Sequence, residues 1–129
     1  MPGPSAEEIE TLARRVFACI PAPFAEHLTE IEIRVEEFAD TEALGAVGLE
    51  DSWQLVGLYQ GHPLDKQSIW LSGDLPPLIR LFRSPLLLEQ RQRQCSLADM
   101  VRHVVIHEVG HHFGFSDADM HALEDETDE

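Results

Sequence analysis

Basic residues are scarce in this chain. Nine Lys and Arg stand against 24 Asp and Glu in 129 residues, a formal net charge of −15 and a pI near 4.6. A field of that sign repels nucleic-acid backbones and anionic membrane surfaces, so neither is an expected partner. It favours solubility and attracts cations, metal ions and basic peptide segments included. Cysteine is nearly absent: Cys19 and Cys95 are the only two, far apart and in no CxxC spacing. That excludes a disulfide framework and fits a reducing compartment. No apolar run approaches the length that spans a bilayer. The opening "MPGPSAEEIE" has no apolar stretch of the kind a signal peptide carries. The expected setting is therefore cytoplasmic. Internal repeats and dividing linkers are also missing. One domain is expected over residues 1–123, followed by an acidic tail over 124–129.

Hydrophobic residues make up 43% of the chain, and its length is enough for a core without disulfide staples. "SAEEIETLARRVFACI" places Ile9, Leu12, Ala13, Val16, Phe17 and Ile20 on one helical face, with Ser5 and Glu8 at capping-box spacing and Pro21 and Pro23 closing it. "TEIEIRVEEFAD" alternates and predicts a half-buried strand. "DTEALGAVGLEDS" is either a short helix or a loop. "WQLVGLYQGHPLD", "QSIWLSGDLPP" and "LIRLFRSPLLL" predict three further short strands. The third is stopped by Pro85, and Pro76, Pro77 and Pro85 point to exposed or edge positions. "EQRQRQ" reads as a polar connector, with Cys95 beyond it. Ser96 then caps a long helix, "SLADMVRHVVIHEVGHHFG", which is apolar nearly all round and so expected to be buried; Gly114 ends it. The order of elements predicts an α+β fold with helices packed on one face of a small mixed sheet.

The second helix carries the chemistry. His107 and His111 are four apart, so their imidazoles share a face one turn apart and suit two ligands of a tetrahedral zinc ion. Glu108 is rotated about 100° from them and can exchange a proton with water on the metal from the side. This is the H-E-x-x-H pattern. A catalytic zinc takes a third protein ligand and keeps one position open. Gly114 lets the chain turn sharply, and Asp117, three residues on, can return to the same ion. One Zn2+ per chain is expected. The carboxylate ligand makes Mn or Fe alternative occupants. It also leaves the site less positive than three histidines would, which predicts activity favouring neutral to alkaline pH. Asp119 and His121 are alternative third ligands ranked below Asp117.

The run from His107 to Met120, H-E-x-x-H-x-x-G-x-x-D followed by a methionine, resembles the metzincin clan with Asp117 in place of a histidine. It is most similar to the small bacterial zincin-like metallopeptidases, also called minimal zincins or matrix-metalloprotease-like proteins. The resemblance implies a zincin-like fold, with the sheet packed on an N-terminal helix and the buried H-E-x-x-H helix. It also implies a zinc-dependent peptidase acting on peptides or proteins. Met120 would then form a floor under the metal.

His103 extends the His107–His111 stripe, but His103 and His111 lie about 12 Å apart along the axis and cannot share one ion. His103 is expected in the cleft or behind a ligand, and His112 against the core or beside Glu108. Tyr59, the only tyrosine, can stabilise an oxyanion in principle; a core or surface place is the preferred reading. Arg80, Arg83, Arg91 and Arg93 either line a cleft that favours acidic peptides or balance the carboxylates, with the second preferred. Three rivals stand beside a peptidase. A metal-binding interaction module needs the ligands but not Glu108. An endoribonuclease of the rRNA-maturation type carries a glycine where Glu108 stands, and the net charge opposes it. A two-histidine, one-carboxylate iron oxygenase takes its ligands from strands.

Overall fold

Ser5 starts the first helix by accepting the Glu8 N–H on its hydroxyl at 3.2 Å, as the capping spacing predicts. The computed structural model describes residues 3–20, 31–60, 77–113 and 118. Within them the chain forms α1 (Ala6–Cys19), β1 (Glu32–Glu36), α2 (Thr41–Ala46), a 3-10 turn (Ser52–Gln54), β2 (Gly57–Gln60), β3 (Leu78–Phe82), α3 (Arg83–Arg93) and α4 (Leu97–Phe113). This is the expected α+β fold with a small mixed sheet. Asp40 resolves the ambiguous stretch after β1 in favour of a short helix. Its carboxylate accepts the Ala43 N–H at 2.8 Å and caps α2. Gly48, at φ 74°, gives the backbone a left-handed turn just after it.

The strand order is β1-β3-β2, with β1 parallel and β2 antiparallel to the central β3. Register brings Ile33 beside Ile79 and Val35 beside Leu81, then Gly57 beside Leu81 and Tyr59 beside Ile79. Strand alternation puts these residues on one face, where α1 and α4 pack. The main core lies there, built from Ile9, Ala13, Ile79, Leu81, Val101, Val105 and Val109 with their neighbours. The opposite face is covered over Phe82 by Ala39, Ala43, Leu44 and Leu55. On this second face Arg80, nearly buried, donates from Nε to Glu36 at 2.6 Å and from Nη2 to Asp40 at 3.4 Å. It thereby ties β3 to the end of β1 and to the cap of α2.

Gly57 makes the sheet-to-helix contact close. A Cβ built on it would lie 2.9 Å from Val104 Cγ1 and 3.4 Å from the Arg80 carbonyl oxygen. The bare backbone of β2 therefore rests directly on α4.

Two expectations are corrected. "LIRLFRSPLLL" is not a strand stopped by Pro85: β3 ends at Phe82 and α3 starts at once. Pro85 is the third residue of that helix, where an N–H would have no intrahelical partner, so proline costs little. Leu, Glu, Gln and Arg then favour the helix, which takes in most of the "EQRQRQ" connector. Nor does Pro85 mark an edge here, since it is fully buried and follows β3, the central strand among those described; Pro76 lies outside the described residues. Gln94, left-handed at φ 55°, ends α3. Ser96 caps α4 by accepting the Asp99 N–H at 3.0 Å. The expected strand in "QSIWLSGDLPP", the closing Pro21 and Pro23, Gly114 and the acidic tail lie outside the described residues.

Gly57→Ala should lower stability by roughly 1–3 kcal/mol, because Val104 is β-branched and stiff and cannot swing away. Urea unfolding at neutral pH, with a reduced midpoint and an unchanged slope, checks it. Acid should act on the second face. The Ser84 hydroxyl, and then Arg83, hold the Glu37 carboxyl below its ordinary value. The Ala43 N–H, and then Arg80, do the same for Asp40. A depressed carboxylate contributes stability that is present above its unfolded value, about 4, and lost as pH falls through the lower folded value. Wild-type stability should therefore fall below about pH 4, and a Glu37→Gln, Asp40→Asn variant should fall less steeply. Parallel urea-derived curves for the two proteins would refute the assignment.

Candidate metal and active site

α4 lies under β2 and is buried on most sides. Met100, Val101, Val104, Val105, Ile106 and Val109 are all in the core. His103 is half-buried, and His107 and His111 are exposed, so one stripe of the helix faces outward. The His107 and His111 rings lie 4.7 Å apart between centroids, inclined at 63°. The His103 and His107 rings are 6.5 Å apart and nearly parallel. The closer, inclined pair is the one whose nitrogens can converge on a single ion at about 2.0–2.1 Å each.

Glu108 is only 5% exposed. Carboxylates are seldom that buried without a partner, and Glu108 Oε1 lies 3.3 Å from His111 Nδ1. The contact has a chemical consequence. Occupying Nδ1 on the carboxylate side leaves Nε2 as the ring atom for a metal, since the partner of one nitrogen sets the role of the other. His107 and His111 therefore fit as two metal ligands. Among the described residues no group of three His, Cys, Asp or Glu gathers around a point that could hold an ion. Asp117, Met120, Asp119, His121 and the His112 side chain lie outside the described residues.

A cleft of about 340 Å³ opens beside this stripe. Gln54, Val56 and Gly57 form the wall leading into β2, Glu89 and Arg93 come from α3, and Met100, His103, Val104, His107 and Glu108 lie along α4. The volume falls at the small end of the range for ligand pockets. The cleft thus brings the H-E pair together with apolar side chains and with the charged groups of α3. Tyr59 is not on that wall. It packs against the main core from β2, and burial pushes its phenol above the usual value.

The arginine cluster divides. Arg80 bonds Glu36 and Asp40. Arg83 bonds Glu37 at 3.1 Å and the Pro4 carbonyl at 2.6 Å. Both balance carboxylates, the preferred reading, whereas Arg93 lines the cleft. Glu89 and Gly57 are cleft residues that the sequence does not single out. The Glu89–Arg93 spacing of four is a helical pairing signal, but it lies in a stretch whose sequence pattern predicts a strand and a connector. A glycine inside a strand pattern signals close approach of another element.

No helix among the described residues is long and apolar enough to cross a membrane. Residues 28–127 match the model of the family described as zincin-like metallopeptidase. That stretch takes in every described element except α1. No curated protein matches the chain.

Proposed function

The chain belongs to the zincin-like metallopeptidase family, and from that premise we propose that it hydrolyses peptide bonds at a zinc ion held by His107, His111 and Asp117. Glu108 is the general base and then the general acid. The observation that carries this reading is the buried Glu108 carboxylate lodged 3.3 Å from His111 Nδ1. That side chain sits beside an outward pair of imidazoles and opens on the cleft.

The family implies a metal, typically zinc. Bound there, it would supply Lewis acidity toward a peptide carbonyl and make water a nucleophile near neutral pH. The chain's own residues do the rest. His107 and His111 present their rings from successive turns of a rigid, buried helix, so little ordering is needed on binding. Glu108 is held by packing and by His111 and needs no reorganisation to take a proton from the attacking water. It can pass that proton to the leaving amine. Asp117 would complete the donor set. A peptide adding as a strand along the side of β2 away from β3 would run beside the cleft that His107 and Glu108 line. Residues 1–123 would form the single catalytic domain and 124–129 an acidic tail.

Elemental analysis of protein purified without a metal-affinity tag should find close to one zinc per chain, lost in both His111→Ala and Asp117→Ala. Zinc lost only with His111 would remove Asp117 from the ligand set. Glu108→Gln should keep the metal yet lower kcat/KM on a cleaved peptide by about 10²-fold or more. Activity surviving that change would assign the proton transfer elsewhere. Metal content without cleavage of any peptide in a broad library would favour a binding module.

A further inference from the structure

Two charged side chains on the cleft wall take no part in the proposed hydrolysis. Glu89 and Arg93 stand one turn apart on α3, and both line the same cleft as His107 and Glu108. We propose that Arg93, held by Glu89, is a specificity-determining residue that binds a carboxylate of the peptide substrate. The proposal rests on the peptidase reading above for what it means, but not for how it is tested.

The geometry of the pair favours an anion over a cation. Arg93 donates from Nε to Glu89 Oε1 at 2.9 Å. That uses one of the five guanidinium N–H groups. The two terminal nitrogens keep the planar fork that matches a carboxylate with two parallel hydrogen bonds. The Arg93 side chain is 50% exposed and that of Glu89 33%, so an entering group meets the cation first. A lysine or arginine of a peptide would meet a carboxylate already shared with Arg93 and the like charge of the guanidinium beside it. A carboxylate need displace nothing. The role of Glu89 is to fix the guanidinium at its inner edge, which limits the freedom lost when a ligand binds.

The surroundings suit the same ligand. Val56, Gly57, Met100 and Val104 give the cleft an apolar lining for the methylenes of an acidic side chain or the last residue of a peptide. Among the described lining residues Arg93 is the only arginine. In a chain of net charge −15, a local cation is what an anionic group needs to enter against the general field. The carboxylate has two possible sources, an acidic side chain or the free C-terminus of the substrate.

Binding can be measured apart from turnover. Zinc-loaded Glu108→Gln protein would be titrated into short fluorescein-labelled peptides of Ala, Leu and Gly, read by fluorescence anisotropy. One series carries a single Glu, or Gln in its place, at each position in turn; the other ends in a free acid or an amide. One carboxylate form should bind at least about tenfold more tightly than its neutral counterpart. Adding Arg93→Ala should bring the ratio close to one, and Arg93→Lys should restore only part of it, keeping charge without the fork. Thermal melting would establish that each variant is folded. A preference between Glu and Gln would identify a side chain, and one between acid and amide a terminal carboxylate. Equal binding of both forms, a preference for Lys-bearing peptides, or a ratio untouched by Arg93→Ala would overturn the proposal. The two readings fail separately. Carboxylate-selective binding without cleavage by the native protein would leave Arg93 as a carboxylate-binding residue and remove the peptidase reading; cleavage without carboxylate preference would do the reverse.

Discussion

β2 rests on α4 through bare backbone at Gly57, and the geometry around the cleft follows from that contact. A strand facing a helix normally stands off by the length of two side chains. Here one is missing, and the strand settles onto Val104. Three and four residues further along α4 are His107 and Glu108. The same approach that buries Val104 therefore brings a strand edge alongside the candidate catalytic helix. Gln54, Val56 and Gly57, on the way into β2, become one wall of the cleft. Lengthening the contact would separate the wall from the floor before it exposed much of the core.

The helix beneath that contact combines two demands that oppose each other. Burial of its valines, Ile106 and Met100 provides the hydrophobic stabilisation that holds it in the domain. Burial of Glu108 costs free energy, because a carboxylate loses its water. Glu108 retains a partner in His111 Nδ1, which offsets part of that cost and turns the other ring nitrogen to a different use. A leucine in place of Glu108 would suit the core better. On the proposed reading, what a fixed, desolvated carboxylate beside two imidazoles can do accounts for the position better than what it adds to stability.

Much of this was legible in residue spacing. The Ser5 and Ser96 caps, the alternation through Ile31, Ile33 and Val35, and the apolar faces of α1 and α4 all predict their elements. Helical spacing alone puts His107 and His111 on one face. The segment after β3 was not legible, because Pro85 reads as a stop wherever a strand precedes it. Its harmless place in a helical first turn depends on the helix starting at Arg83, which the flanking sequence does not mark with a capping side chain. The closeness of Glu108 to His111 was also hidden. Residues three apart on a helix are neighbours by rule, but the burial of one and exposure of the other depend on where the sheet lies. The partition of the arginines followed tertiary contacts as well. Arg80 and Arg83 find their carboxylates across β1 and the segment after it, at separations no local pattern encodes.

The segment after β3 matters because of what it joins. β3, at the centre of the sheet, runs without a loop into α3, and α3 returns through left-handed Gln94 and Cys95 to the cap of α4. Gln90 closes that return by donating to the Cys95 carbonyl at 3.2 Å. Residues 78–113 thus carry the central strand, the charged wall of the cleft and the H-E-x-x-H pair in regular structure broken only by the short turn at 94–96. Its ends are pinned by Arg80 on the sheet and by core valines in α4. Groups mounted on helices and strands keep their relative positions better than groups on loops. Glu89 and Arg93 are therefore held at a constant distance from His107 and Glu108 by the same frame. A substrate carboxylate gripped at Arg93 would fix the register of the peptide along the cleft, and with it which bond reaches Glu108.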